Sequence, residues 1–328
     1  MSFGLSWLYS QGEWPIIGNG EPSVNLRDKL LNPSIPLTFF EIVPPAAGKP
    51  EALDATVAEV KKVRHLVDAI NLPEIHDESR GAERTHRFIQ RVEPRILGAR
   101  LQRDLSADVV INRVVVHDRE PDHWFRETCE QFGIQHMVLV GGESAEIQYP
   151  GPSPMEAAAL VRSTGLPVSL GGITIPSRPN EADRIRSKNA AGMVFFTSQI
   201  LFDSNDIVWL IQRLNNVEAR IFLSFAPVSH PRDLEFLRWL GADIPQNLDR
   251  FLLQGEAGSA ESYFQRSLDL AQRILMDVFD NLPPDPPPLG LNIEHINQRN
   301  FASAVRMLER LGDLYTSLVA SRTRGSPA

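Results

Sequence analysis

Val109-Val110-Ile111-Asn112-Arg113-Val114-Val115-Val116 is a strand-length apolar run interrupted by one polar pair. A strand with one wet face alternates apolar and polar residues, whereas a run this continuous is buried on both faces, as a parallel strand under helices is. Runs of the same kind recur outward from it, at Leu37 to Val43, Ala69 to Leu72, His136 to Val140, Pro167 to Leu170, Met193 to Gln199, Arg220 to Phe225 and Leu289 to Ile293. Between them lie charged, helix-patterned segments at Glu51 to Val67, Arg84 to Val92, Asp122 to Phe132, Pro154 to Ser163, Glu181 to Ala190, Asp206 to Leu214 and Asp233 to Leu240. Longer helical patterns at Ala260 to Phe279 and Asn300 to Leu311 complete the series. Strands alternate with helices throughout, and no Gly-x-Gly-x-x-Gly turn follows any strand. This predicts a closed (β/α)8 TIM barrel over residues 37–312 rather than a doubly wound sheet.

The flanks read differently. Residues 1–36 are dense in Gly and Pro, an irregular N-terminal extension whose Trp7, Leu8, Tyr9 and Trp14 are apolar enough to pack on the body, with one short helix at Leu26 to Leu31. The run from Pro283 to Pro288 is stiff and leads into the last strand. Residues 313–328 add a helical turn or two and a tail that frays from Thr323.

Of 328 residues, 42% are apolar and 23% charged, which is ordinary globular composition. With 33 Lys and Arg against 41 Asp and Glu the net charge is −8, which argues against gripping a nucleic acid backbone. A single cysteine, Cys129, cannot form an internal disulfide. No stretch approaches the ~20 apolar residues that cross a bilayer, and the N-terminus lacks a basic, then apolar leader. The expectation is a cytoplasmic protein with a small-molecule partner, no nucleic acid or membrane partner, and an oligomeric state left open.

Barrel active sites sit at the C-terminal ends of the strands. Glu41 lies late in the first strand among apolar neighbours, where desolvation raises a carboxyl pKa and suits it to hold and release a proton. A structural acid paired with a buried Arg or Lys is the competing reading. After the fourth strand, Gly141-Gly142-Glu143 lets a ligand approach the backbone beside an acid, or is simply a tight turn with a solvated carboxylate. Gln199 ends the sixth strand with an amide that suits a ring edge of alternating N–H and C=O groups, or is satisfied by backbone. His117, Asp118, Glu120, Asp122 and His123 are crowded but lack a recognised metal spacing, so no metal is expected. A metal-dependent barrel hydrolase using His117 and His123 is the reading they leave open.

In order along the chain, these strand ends resemble the methylenetetrahydrofolate reductase family. Phe39-Phe40-Glu41-Ile42-Val43-Pro44-Pro45 is similar to its Ser-Phe-Glu-Phe-Phe-Pro-Pro strand, with Glu41 on the catalytic acid. Gly133 to Glu143 resembles the segment ending in Arg-Gly-Asp, with Glu143 on the acid that meets folate and Gly141 replacing the Arg. Lys188 to Gly192 followed by Thr197-Ser198-Gln199-Ile200-Leu201-Phe202-Asp203 resembles Lys-x-x-Ala-Gly and Thr-Gln-Phe-Phe-Phe-Asp, with Gln199 on the residue that contacts the pterin. Leu291 to Asn297 falls in the order of the last block and adds Asn297 to the substrate residues. The resemblance implies reduction of 5,10-methylenetetrahydrofolate to 5-methyltetrahydrofolate with NAD(P)H, in one-carbon metabolism and methionine biosynthesis. It also implies FAD, for which Gly142, Arg184 and Lys188 are the cofactor residues. Only Lys188 of the family's phosphate-holding set is intact, the other positions being Glu181, Arg184 and Ser187. The chain thus resembles the short, divergent branch in which flavin binding is lost, through Glu41 to Pro45, Ile175 to Arg178 and Leu223 to Phe225. A folate-binding or methyl-transfer barrel that performs no reduction is the alternative.

Overall fold

The computed structural model describes residues 25–77, 87–142, 147–254 and 259–325. Eight parallel strands close into a barrel in sequence order: β1 (Thr38–Ile42), β2 (Ala69–Leu72), β3 (Asp108–Val114), β4 (His136–Val140), β5 (Ser169–Thr174), β6 (Met193–Ser198), β7 (Arg220–Phe225) and β8 (Leu289–His295). The last strand pairs with the first, Glu41 standing beside Glu294 in register, so no sheet edge is left exposed. The fold is a (β/α)8 TIM barrel. Residues 143–146, and with them Glu143, lie outside the described residues, as do Trp7, Leu8, Tyr9 and Trp14.

Proline opens five of the surrounding helices, at Pro50, Pro94, Pro121, Pro154 and Pro231. Its fixed φ suits the first helical turn, where an N–H would have no partner. This corrects one expectation. The helix foreseen at Arg84 to Val92 is absent over its described part: Arg87–Gln90 carry no regular structure and Arg91 forms an antiparallel bridge with Ala46. The helix begins instead at Pro94 and runs to Leu105, burying Leu97 and Leu101. A helix at Gln246–Leu253 was not foreseen, and Val115–His117 is a 3-10 turn rather than the end of β3.

The fifth strand starts and ends later than Pro167 to Leu170. Gly171 and Gly172 look like a turn but occupy strand positions, because a Cβ on Gly171 would run into the Phe195 ring. Gly171→Ala is therefore expected to cost about 1–3 kcal/mol, the usual penalty of overpacking. Urea unfolding would check it, and an unchanged midpoint would mean that the ring gives way freely.

Inside the barrel, successive inward positions build layers. The lower layers are apolar: Leu37, Phe39, Ala69, Val110, Val138, Phe195 and Phe222 pack on Leu26 and Leu30 of the helix Leu26–Leu30. Phe39 stacks on Phe222 at 3.9 Å, with Phe195 edge-on at 6.2 Å. That helix plugs the N-terminal end of the barrel. Arg220, fully buried at the start of β7, holds the plug by donating to the carbonyls of Lys29, Leu30 and Asn32, and also to Leu289. Cationic donors suit the unsatisfied carbonyls of a helix C-terminus.

The terminal helix Phe301–Gly325 runs without a break through residue 312 and past Thr323. Tyr315 anchors it, donating its hydroxyl to Leu289 O at 2.7 Å and accepting from Leu37 N at 3.2 Å. The stretch after 312 is thus a structural part of the barrel wall.

Candidate active site

One register step above the phenylalanine floor the barrel interior turns polar. Glu41 of β1 is flanked in register by Asn71 of β2 and Glu294 of β8. Asn112, Thr197, Ser224 and Asn292 share this inward face by strand parity. Asn71 Nδ2 donates to Glu41 Oε2 at 2.7 Å. Asn292 Nδ2 donates to Glu294 Oε1 at 3.2 Å and to Ser224 Oγ at 3.0 Å. The Ser224 hydroxyl in turn bonds Glu294. Each carboxyl group is thereby held in place by a neutral donor.

Neither acid faces a basic partner among the described residues. Burial, then the negative Glu294, holds the Glu41 pKa well above the ordinary carboxylate range, against the opposing pull of the Asn71 bond. Burial also pushes Glu294 up to about 7, opposed by Ser224. The competing reading of Glu41 as half of a buried ion pair does not describe this geometry.

The amide oxygens tell a second story. Asn71, Asn112 and Asn292 are buried, and the Oδ1 of each has no hydrogen-bond partner among the described residues. Buried polar atoms are ordinarily paired, so unpaired acceptors converging on one face mark a place for a donor-bearing ligand.

Most of the other foreseen residues make contacts within the protein. Gln199 sits just beyond β6, with Nε2 donating to Leu240 O at 3.2 Å and Oε1 accepting from Ile200 N at 2.9 Å. Asn297 accepts from Arg299 N at 3.0 Å and donates to Asp233 Oδ1 at 3.3 Å, tying the β8 exit to the first turn of the helix Pro231–Trp239. His117 rests between the rings of His76 and Tyr149, while His123 is exposed on the helix Pro121–Glu130. No group of three His, Cys, Asp or Glu side chains able to hold a metal occurs among the described residues.

The three residues expected to hold FAD do not form a cradle for it. A Cβ at Gly142 would collide with the Tyr149 ring, so the close approach that this glycine permits is taken by Tyr149. Lys188 Nζ donates to Ile173 O at 2.7 Å, with burial lowering its pKa. Arg184 is exposed on the same helix, Glu181–Ala190. At the start of that helix, where a phosphate would be drawn, stands the buried Glu181 carboxylate, accepting from Thr174 Oγ1 at 2.9 Å and Ile175 N at 3.1 Å. That carboxyl group, with Arg178 Nη1 3.8 Å from its other oxygen, occupies the place a phosphate would take. As arranged, these residues do not fit a dinucleotide.

Sequence reasoning found Glu41 but missed Glu294, Asn71, Asn112, Ser224 and Asn292. The signal was parity: Asn292 points inward, so Glu294, two residues on, does too.

No family model matches this chain, and no curated protein matches it. Among solved structures, its fold is similar to that of an uncharacterized protein from Clostridium thermocellum that binds two copies of 5-methyl-5,6,7,8-tetrahydrofolic acid. The TM-score is 0.70 at 20% identity, over 88% of this chain and 99% of that one.

Proposed function

We propose that the barrel mouth binds a reduced folate and that the protein reduces 5,10-methylenetetrahydrofolate to 5-methyltetrahydrofolate with NAD(P)H, Glu41 acting as general acid. The observation that carries this reading is the set of unpartnered amide oxygens of Asn71, Asn112 and Asn292 beside two carboxyl groups. A pterin ring presents N–H donors along one edge, at its 2-amino group, N3 and N8, and such an acceptor-rich wall is complementary to it. The ligand of the Clostridium thermocellum protein supports the same class.

Reduction needs the bridge between N5 and N10 opened. Glu41 gives a proton to N10, the bond from N10 to the methylene carbon breaks with its electron pair going to N10, and a 5-iminium cation results. Hydride from the reduced nicotinamide then adds to that carbon and leaves a methyl group. An acid whose pKa burial raises well above the ordinary carboxylate range suits the first step. Gln199 and Asn297 fix the β6 and β8 exits around the ring.

Calorimetry with 5-methyltetrahydrofolate tests the binding half. Asn112→Leu, which removes one acceptor, is expected to weaken affinity by about 10–100-fold. Equal affinity in the variant, or no binding by the parent protein, would sink the assignment of the ring to this wall.

A folate-binding or methyl-transfer barrel without reduction is the second reading, favoured by the unsuitability of Gly142, Arg184 and Lys188 for a dinucleotide. Folate binding with no folate-dependent loss of nicotinamide absorbance would select it.

A further inference from the structure

We infer that Glu294 is a positioning residue for Glu41: the two carboxyl groups share one proton and present it to the ligand as a single acid. This rests on the folate-reductase reading for its role in turnover, but not for its existence.

The geometry leaves little alternative. Register partners on adjacent strands stand about 4.8 Å apart, with side chains on the same face. Glu41 is held by Asn71 and Glu294 by Asn292 and Ser224, so neither can turn away from the other without giving up a hydrogen bond. Beneath them lie Phe39 and Phe222. The charged groups on the packed elements are engaged elsewhere. Arg91 donates to Pro44 O beyond the end of β1, and Arg113 is paired with Glu74 and Asp118 at 2.6 Å each. Lys188 bonds Ile173 O. His295 faces outward against Phe301, its pKa lowered to about 4 by burial. Among the described residues the pair has no counter-cation; two carboxylates so confined do not both ionise near neutrality, and the proton they retain belongs to the pair.

The arrangement has a catalytic consequence. As Glu41 hands its proton to N10, the pair passes from one negative charge to two at the moment the substrate becomes an iminium cation. Attraction between the new dianion and that cation favours ring opening. Hydride transfer then removes the positive charge, and one proton from solvent restores the pair.

The test starts from the folate-free protein. The infrared band of protonated carboxyl groups, followed against pH, is expected to show one carboxyl still protonated at pH 7. Removing the neighbouring anion lowers the Glu41 pKa, so Glu294→Gln is expected to move that titration down by about one unit or more, and Glu294→Asp, which keeps the charge, to restore it. With substrate, the alkaline limb of kcat/KM should move down by the same amount. A Glu41 titration unaltered by Glu294→Gln would overturn the inference. Glu41→Gln, read on Glu294, is the mirror measurement should Glu294→Gln fail to fold. If the infrared shift appears but the parent protein reduces no folate, the reductase reading fails and the shared proton stands.

Discussion

Glu41→Gln is expected to lower folate-dependent NAD(P)H oxidation by about 10²–10⁴-fold, the usual range for loss of a general acid. Affinity for 5-methyltetrahydrofolate should change by no more than a few-fold. The substituted amide keeps the shape of the side chain, and its oxygen can still accept the bond that Asn71 Nδ2 now makes at 2.7 Å. What disappears is the transferable proton. Because the product is already opened at N10, its binding does not call on that proton, so kcat should carry the loss. Steady-state kinetics alongside calorimetry on the same preparation would separate the two. A parallel collapse of product affinity would make Glu41 a binding residue, and unaltered kcat would remove it from the chemistry.

Arg220→Met is expected to be strongly destabilising, costing about 3–5 kcal/mol. The guanidinium is fully buried and donates to four backbone carbonyls, three at the end of the helix Leu26–Leu30 and one at the start of β8. Methionine fills much of the volume but takes the donor from the buried Leu30 O and the charged donor from Lys29 O, Asn32 O and Leu289 O, which keep Asn32 N, Ile35 N and the Tyr315 hydroxyl; a buried orphan costs about 1–3 kcal/mol. Burial already lowers the Arg220 pKa, yet a guanidinium remains charged, so the interaction persists across the accessible pH range. Urea unfolding measures the loss. A cost below 1 kcal/mol would mean that the plug is held by Leu26 and Leu30 alone.

The barrel was legible because parallel strands covered by helices cannot hide: Val109 to Val116 is apolar on both faces wherever it is placed. Seven of the eight strands lie where that pattern puts them. The fifth was displaced because Gly171 and Gly172 carry no side chains to register as apolar, and their role, making room for Phe195 and Phe196, exists only after the neighbouring strand is in place. The helix at Pro94–Leu105 was placed too early because Arg84 to Val92 also carries a periodic charge pattern, and nothing local marks that Arg91 would bridge to Ala46, 45 residues away. At the site, Glu41 was visible as a lone acid in an apolar strand. Its neighbours were not, since the meeting of β8 with β1 is a property of closure and joins residues 253 positions apart, 41 and 294.

Among the described residues, the plug closes the N-terminal end of the barrel and leaves the C-terminal mouth as its doorway. Beneath Glu41 the interior is sealed by Phe39, Phe195, Phe222 and the helix Leu26–Leu30, so water has no rear passage to the acids. On the proposed reductase reading, folate, nicotinamide and solvent protons would all enter and leave by the same end. On that reading the spent acid would not be recharged while product occupies the mouth, and each cycle would reset only when the methylated folate departs.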